Sequence, residues 1–436
     1  MLSQPDPKSS AMRRFLSDLF QTAVAAAHPA QCLPRYLPEP PAGRLIVLAG
    51  GKAAGAMAET VERIYLYLQG LAPDRLDGLA VTRHGYGRPT QRIPVIEAGH
   101  PVPDDASLAA AARTLDLAGH AGPDDLVLAL ISGGASANWV APVPGLTFAE
   151  KQAVTRALLR SGATISEMNT VRKHLSRIKG GRLARVASPT PVVTLAISDV
   201  PGDDPAIIGS GPTVPDPSTL SEARAIVTRY KLDLPATVIR ALNDPDNETP
   251  KPGDAVFNNT RFTLIARPAD AFRAAEAAAR AAGYDCVFLG DQVEGEAREI
   301  AAAHAKLARD LQAQGKRTVI LSGGELTVTI RGSGRGGPNQ EYALALVAAL
   351  DGTEGIAALS GDTDGTDGGG GSADDPAGAF ADGTSAGRAR SLGLDPAAFL
   401  TDNDSTGFFS RLGDLLQTGP TFTNVNDFRA IVVDRP

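Results

Sequence analysis

Cysteine is nearly missing: only Cys32 and Cys286 occur in 436 residues. They show no CxxC or Cys/His spacing, which excludes a disulfide framework and a zinc site and fits a reducing compartment. Long apolar runs are absent too, and none reaches the roughly 18 residues of a membrane span. The first residues carry no apolar signal core. Met12, Phe15, Leu16, Leu19, Phe20 and Ala23 instead follow helical spacing, so residues 10–27 read as an amphipathic helix of the fold and the expected location is cytoplasmic. A basic excess is also lacking. With a net charge of −7 and 5% aromatics, the chain has little to hold nucleic acid by phosphate neutralisation or base stacking.

What is present is glycine, 46 residues of it, concentrated where apolar runs stop. RLIVLAGGK ends at Gly50, Gly51 and Lys52, LALISGGAS at Ser132, Gly133 and Gly134, RTVILSGGE at Ser322, Gly323 and Gly324, and GIAALSGD at Ser360, Gly361 and Asp362. Short apolar runs of this kind suit strands of a parallel sheet covered on both faces. Strands are expected at 44–49, 77–82, 93–97, 125–131 and 191–198, with helices at 52–69, 105–119 and 147–162 between them. The breaker-rich stretch 232–257 reads as a boundary. A second series follows, with strands at 261–266, 284–289, 317–322, 326–331 and 355–360 and helices at 269–282, 295–314 and 339–350, before a last strand that fits either sheet. The expected class is α/β with two domains, residues 1–240 and 256–436.

In open α/β sheets, ligands bind beyond the carboxyl ends of the strands, where a glycine lets backbone N–H groups approach an oxyanion. Lys52 strengthens that reading for the first loop, since a cation beside a helix start is explained by an anion there. It is one of only nine lysines, and an ordinary P-loop would need glycine at Ile46 and Ser or Thr at Ala53. Acidic loops follow two other strands: Asp199, Asp203 and Asp204 in SDVPGDD, and Asp362, Asp364 and Asp367 in GDTDGTDG. Either could hold Mg²⁺, with Asp199 favoured over Asp362, while Asx turns explain the same residues without metal. In NTVRKHLSRIKGG, Arg172 and Lys173 are the anion-binding candidates, and Arg177 and Lys179 are expected to solvate the outer face of a helix that stops at Gly180 and Gly181. His100, in GHPVPD, reads as a structural loop histidine.

GSGRGGPNQE carries a rival reading. Gly332, Gly334 and Gly337 match G-x-G-x-x-G, which would make the chain an NAD(P)H-dependent reductase, but Thr327 and Thr329 alternate as in a half-exposed strand. Arg335 in that loop fits a bidentate phosphate clamp better than a close glycine turn. A ligand-binding sensor without turnover is a third reading.

The motifs GGKAAGAMA, GHPVPD, LISGGASA, EMNTVRKHLSRIKGGRLA, SDVPGDDPAIIGSGPTVPDPST, LSGGE, GRGGPNQE, GDTDGTDG and TGPTFTNVND, in this order, resemble the glycerate 2-kinases of the MOFRL family, a class also labelled hydroxypyruvate reductase. The resemblance implies a Rossmann-like N-terminal α/β/α domain and a smaller α/β C-terminal domain, with the active site in the cleft between them. It implies transfer of a phosphoryl group from MgATP to the 2-hydroxyl of D-glycerate, giving 2-phosphoglycerate; hydroxypyruvate reduction is the alternative. The expected partners are this small substrate and the nucleotide, without nucleic acid or membrane, and assembly as a homo-oligomer is left open. The family's lysine maps to Lys52. Its arginine, in a loop commonly written GGRNQE, falls on Pro338, so Arg335 or Arg172 is left for that role. Within this resemblance Lys52 and Arg335 are the catalytic candidates. Arg172, Lys173, Ser132, Gly133 and Gly134 would bind substrate, Gly50, Gly51, Ser322, Gly323, Gly324, Glu325, Asn339 and Gln340 the nucleotide, and Asp199 and Asp362 the metal.

Overall fold

The computed structural model describes residues 7–370 and 372–435. Two compact units emerge, one spanning Cys32–Ile265 and the other combining Met1–Gln31 with Ala266–Pro436. The first contains a six-stranded sheet in the order β3-β2-β1-β4-β5-β6. Its strands are β1 (Leu45–Gly50), β2 (Leu76–Arg83), β3 (Val95–Ala98), β4 (Leu126–Ile131), β5 (Val192–Ile197) and β6 (Thr260–Ala266). β3 to β5 run parallel through the centre of the sheet. Every residue of β1 and β4 is buried, as continuous apolar runs require when helices cover both faces. β6 is more polar and half-exposed, which suits an edge.

The second unit carries a mixed sheet, β13-β12-β11-β14-β9-β7. Its strands are β7 (Asp285–Phe288), β9 (Thr318–Gly323), β11 (Ile356–Asp362), β12 (Gly378–Asp382), β13 (Leu415–Leu416) and β14 (Asp427–Val433); β8 (Gly295–Glu296) and β10 (Leu326–Thr327) form a separate two-residue pair. The last strand, β14, lies between β11 and β9 and is antiparallel to both.

Two parts of the chain fall outside the expected 1–240 and 256–436 division. The segment 232–257 stays within the first unit and leads into β6, which completes the first sheet rather than opening the second. The helix Pro7–Ala27 joins the second unit, where it packs on the helix Pro268–Ala281, β11 and β14. Of the stripe its periodicity predicts, Met12, Leu16, Leu19, Phe20 and Ala23 are buried, and Phe15 is half-buried and stacked on Tyr284. The helix's partners lie hundreds of residues away. Arg13 Nε donates to Asp382 at 2.5 Å and Arg13 Nη1 to Asp414 at 2.5 Å, both carboxylates being buried. Removing the guanidinium leaves buried Asp382 without a cation, while Asp414 keeps Arg388, so Arg13→Ala is expected to lower unfolding free energy by about 3 kcal/mol in urea denaturation. A change within 0.5 kcal/mol would show that the helix is held by its apolar face alone.

Candidate active site

The order of the first sheet reverses between β1 and β4, which opens a crevice at the carboxyl ends of these strands. Both glycine loops leave the sheet here and are knitted together. The Ser132 N–H donates to Gly50 O at 3.0 Å, the Lys52 N–H to Gly133 O at 2.8 Å, and the Ala53 N–H to Ser132 Oγ at 2.9 Å. A Cβ on Gly50 would lie 2.9 Å from the Trp139 ring, and Gly51, at φ +115°, has no room for one against Ser132. Gly51 also gives its N–H to Val81 O. The expected nucleotide contacts from Gly50 and Gly51 are therefore corrected: these glycines allow two loops to touch, and their donors serve the protein. Ser132 is fully buried and serves Ala53, so it is a strut and not a substrate contact.

What the knot presents is Lys52. It is half-buried, and its Cγ lies 3.3 Å from where a Cβ on Gly134 would stand, with His100 Nε2 3.2 Å from the same point. Among the described residues, the N–H groups of Gly133 and Gly134 meet no acceptor. The loop that carries His100 thus lies against SGG, as a structural loop residue would.

The basic segment divides differently from expectation. Its helix, Ile165–His174, stops before Leu175, and the chain then turns through Lys179 into two left-handed glycines, Gly180 and Gly181. Lys173 is buried and bound to Asp216 Oδ1 at 3.3 Å. Asp216 also accepts from Ser218 and Thr249, so Lys173 belongs to an internal network and its expected role in substrate binding is corrected. Arg172 is half-buried, makes no ion pair among the described residues, and has its pKa lowered by desolvation. Arg177 is exposed, as expected.

Lys179, expected on the outer face, is instead buried. Its Nζ lies 2.6 Å from Ser136 Oγ and 2.7 Å from Ser136 O, and Ser136 Oγ is 2.8 Å from Ser210 Oγ. Ser210 sits at φ +65° between Gly209 and Gly211, both at φ +58°, and a non-glycine residue keeps that conformation only where its surroundings impose it. Desolvation, and then the fields of Arg172, Lys151 and Lys173, hold the Lys179 pKa well below the usual lysine value. Lys151, itself fully buried on the carbonyls of Leu175 and Arg172, is pushed down to about 7. The only hint in the sequence is that both serines stand between small residues, in GASAN and IGSGP.

In the second unit the third glycine loop is also packed inward. Gly323 lies against Phe272, Gly324 (φ +93°) against the Val293 backbone, Ser322 Oγ accepts from Arg429 Nε at 3.2 Å, and Gly323 O accepts from the same guanidinium. Asn339 and Gln340 open the helix Pro338–Leu350, and their N–H groups donate to the Asp367 carboxylate at 3.0 and 2.8 Å. Their side chains are engaged as well: Asn339 with Asp427 and Ser360, Gln340 with Asp367 and Thr406. Nucleotide contacts from Ser322, Gly323, Asn339 and Gln340 are corrected accordingly, because buried polar groups take partners inside the fold, while Gly324 is packed on the Val293 backbone. Burial and then the nearby Asp427 raise the Asp367 pKa to about 7. Glu325 is exposed at the turn after β9.

Asp362 Oδ1 accepts the Asp364 N–H, and Asp364 in turn accepts from Thr366, which is Asx-turn chemistry. Asp199 is half-buried just beyond β5. Among the described residues no group of three or more His, Cys, Asp or Glu side chains is placed to hold a metal ion. Arg335 is exposed and faces Asp375 at 3.5 Å. The loop around it is not a dinucleotide turn: β10 before it is two residues long and pairs only with β8. Gly332, Gly334 and Gly337 pack against Asp402, Asp404 and Asp367, so the glycine spacing reflects close packing within the unit.

Family models match both parts of the chain: Domain of unknown function (DUF4147) at residues 15–243 and the MOFRL family at 318–427. A D-glycerate 2-kinase of Thermotoga maritima is 36% identical over 427 residues, 97% of this chain and 98% of that protein. The chain belongs to the MOFRL glycerate 2-kinase family. Among other relatives of this glycerate 2-kinase family member, a glycerate 2-kinase of Pyrococcus horikoshii is 39% identical over 90% of this chain and 88% of its own. The crystal structure of glycerate kinase from Thermotoga maritima matches with a TM-score of 0.86 at 35% identity, covering 97% of this chain and all of that one. A protein of Agrobacterium vitis that carries a provisional hydroxypyruvate reductase name is 49% identical over 97% of this chain and 94% of its own. That label finds no support in the GSGRGG loop, the feature on which a reductase reading rested. Among the described residues, no helix is long and apolar enough to cross a membrane.

Proposed function

We propose that this chain is an ATP-dependent glycerate 2-kinase that phosphorylates the 2-hydroxyl of D-glycerate. The observation that carries the reading is the β1–β4 knot, which sets Lys52 beside the open N–H groups of Gly133 and Gly134 at the sheet's switch point. Phosphoryl transfer needs reactants in line and charge neutralised on the transferred oxygens, and little covalent help. Lys52 supplies that charge, and the Gly133 and Gly134 donors receive oxyanions. Arg172, without an internal acid, suits the glycerate carboxylate.

Mg²⁺ with a triphosphate asks for only one or two protein carboxylates, which a single acid at a strand end satisfies. Asp199 fits this best by position, since it stands beyond β5, next to β4. When bound, the ion would neutralise phosphate charge. Phosphorus NMR of enzyme, MgATP and D-glycerate, with a parallel absorbance trace of NADH and hydroxypyruvate, tests the reading. It is expected to show 2-phosphoglycerate and a flat trace; NADH consumption without a phosphorylated product would replace it with the reductase.

A further inference from the structure

A lysine buried on one serine, which is itself bonded to a second, and with no ion pair among the described residues, stands apart from the other buried charges of the first unit. Lys173 has Asp216, and His174 has Glu248 at 2.9 Å. The groups that face Lys179 are Ser136 from the short helix Ala135–Asn138 and, by their fields, Lys151 from the helix Phe148–Ser161 and Arg172 and Lys173 from the helix Ile165–His174. Asp216 is engaged by Lys173. An ammonium surrounded by cations in a desolvated site is costly, and the neutral amine is the favoured form.

A neutral amine has two N–H donors and one lone pair. Nζ stands 2.7 Å from the Ser136 carbonyl and 2.6 Å from the Ser136 hydroxyl; once neutral, it donates an N–H to the first and has a lone pair within reach of the second's proton. Ser210, held at φ +65°, has its hydroxyl 2.8 Å from Ser136 Oγ and fixes its rotamer. Ser136 is itself half-buried and two residues past Gly134, the position flanked by Lys52.

We propose that Ser136 and Lys179 form the proton relay of the phosphoryl acceptor. As the substrate oxygen bonds to the γ-phosphorus and the bond to the ADP oxygen breaks, the substrate O–H gives its proton to Ser136 Oγ. Ser136 passes its own proton to Lys179 Nζ, and the ammonium so formed loses it to water after product leaves. Ser136 touches the reacting hydroxyl and is catalytic. Lys179 acts through it, and Ser210 positions it. The inference rests on the kinase reading above.

The test is steady-state kinetics of Ser136→Ala, Lys179→Met and Ser210→Ala with MgATP and D-glycerate from pH 5.5 to 9.5. In the unmodified enzyme kcat falls as pH is lowered, because protonated Lys179 has no lone pair. Ser136→Ala and Lys179→Met are expected to lower kcat about 100-fold or more and to lose that acid limb, with KM for ATP changed less than threefold. Ser210→Ala is expected to lose about tenfold and keep the limb. A kcat within threefold of the unmodified value in Ser136→Ala, or an unchanged acid limb in Lys179→Met, would overturn the relay. Should Lys179→Met not fold, Ser136→Ala, which removes one hydroxyl, decides alone.

A readout without turnover is the difference in unfolding free energy between the unmodified protein and Lys179→Met. A lysine neutral in the fold binds its proton only on unfolding, so its contribution is complete above the unfolded value of about 10.4 and is lost as pH falls through the folded value. A pH-independent difference would mean a charged Lys179 and would overturn the relay. An unmodified enzyme that transfers no phosphoryl group would sink the kinase reading, whereas an active one with unimpaired variants would sink the relay alone.

Discussion

Lys52→Ala is expected to lower kcat for phosphoryl transfer by about three orders of magnitude while shifting the thermal midpoint by no more than a few degrees. Losing one preorganised cation from the charge developing on the transferred group costs about 4 kcal/mol of transition-state stabilisation, which is that factor in rate. The backbone that anchors residue 52 is unchanged. The backbone bond from residue 52 to Gly133 O survives the substitution, as does the Thr82 hydroxyl bond to the carbonyl of residue 52. Lys52→Arg should restore only a small part, because the planar guanidinium does not reproduce a compact ammonium at the same reach. Product formation followed by phosphorus NMR, with circular dichroism to follow melting, separates the two effects. Activity within tenfold of the unmodified enzyme would remove Lys52 from the charge-neutralising role.

Gly51→Ala should damage fold and activity together. Residue 51 holds φ +115°, where a side chain is strained, and its Cβ would drive into the carbonyl and hydroxyl of Ser132 and lie 2.8 Å from Gly133 O. These atoms are backbone or a fully buried side chain and cannot swing aside, so the two loops must separate. A loss of about 3 kcal/mol or more in urea denaturation is expected, with kcat reduced at least 100-fold as Lys52 moves with its loop. Gly70→Ala is the control: its φ is +68°, nothing lies within 4 Å of its Cβ, and only about 1 kcal/mol of backbone strain is at stake. Equal effects at both sites would mean that conformation, and not the contact between loops, governs Gly51.

Reading along the chain located the elements well because their causes are local. Apolar runs of six residues become strands buried on both faces, as at β1 and β4, and a stripe at helical spacing becomes the buried face of Pro7–Ala27. The glycine after each strand was legible for the same reason, since a missing Cβ is visible in one letter. What the glycine is for was not. GGK and SGG look alike on paper, yet Gly51 spends its freedom on another loop, while Gly133 and Gly134 keep their donors open.

Charged residues show the same division. Lys173 and Lys179 lie six positions apart in one basic segment, and nothing in the local pattern says which is an internal strut and which meets a serine. Burial decided it: Asp216 reaches Lys173 from 43 residues away, and Ser136 reaches Lys179 across the same separation. Arg13 meets Asp382 at a separation of 369 residues, which moves the first helix into the second unit. Asn339 and Gln340, signalled by their motif, are held by Asp367 at the start of their helix. The sequence by itself determined the α/β elements, the family and the position of Lys52, because periodicity, steric freedom and motif order are properties of neighbouring letters. Only the tertiary structure decided which donors and charges remain open for a ligand, because that depends on which distant atoms come to satisfy them in the low-dielectric interior.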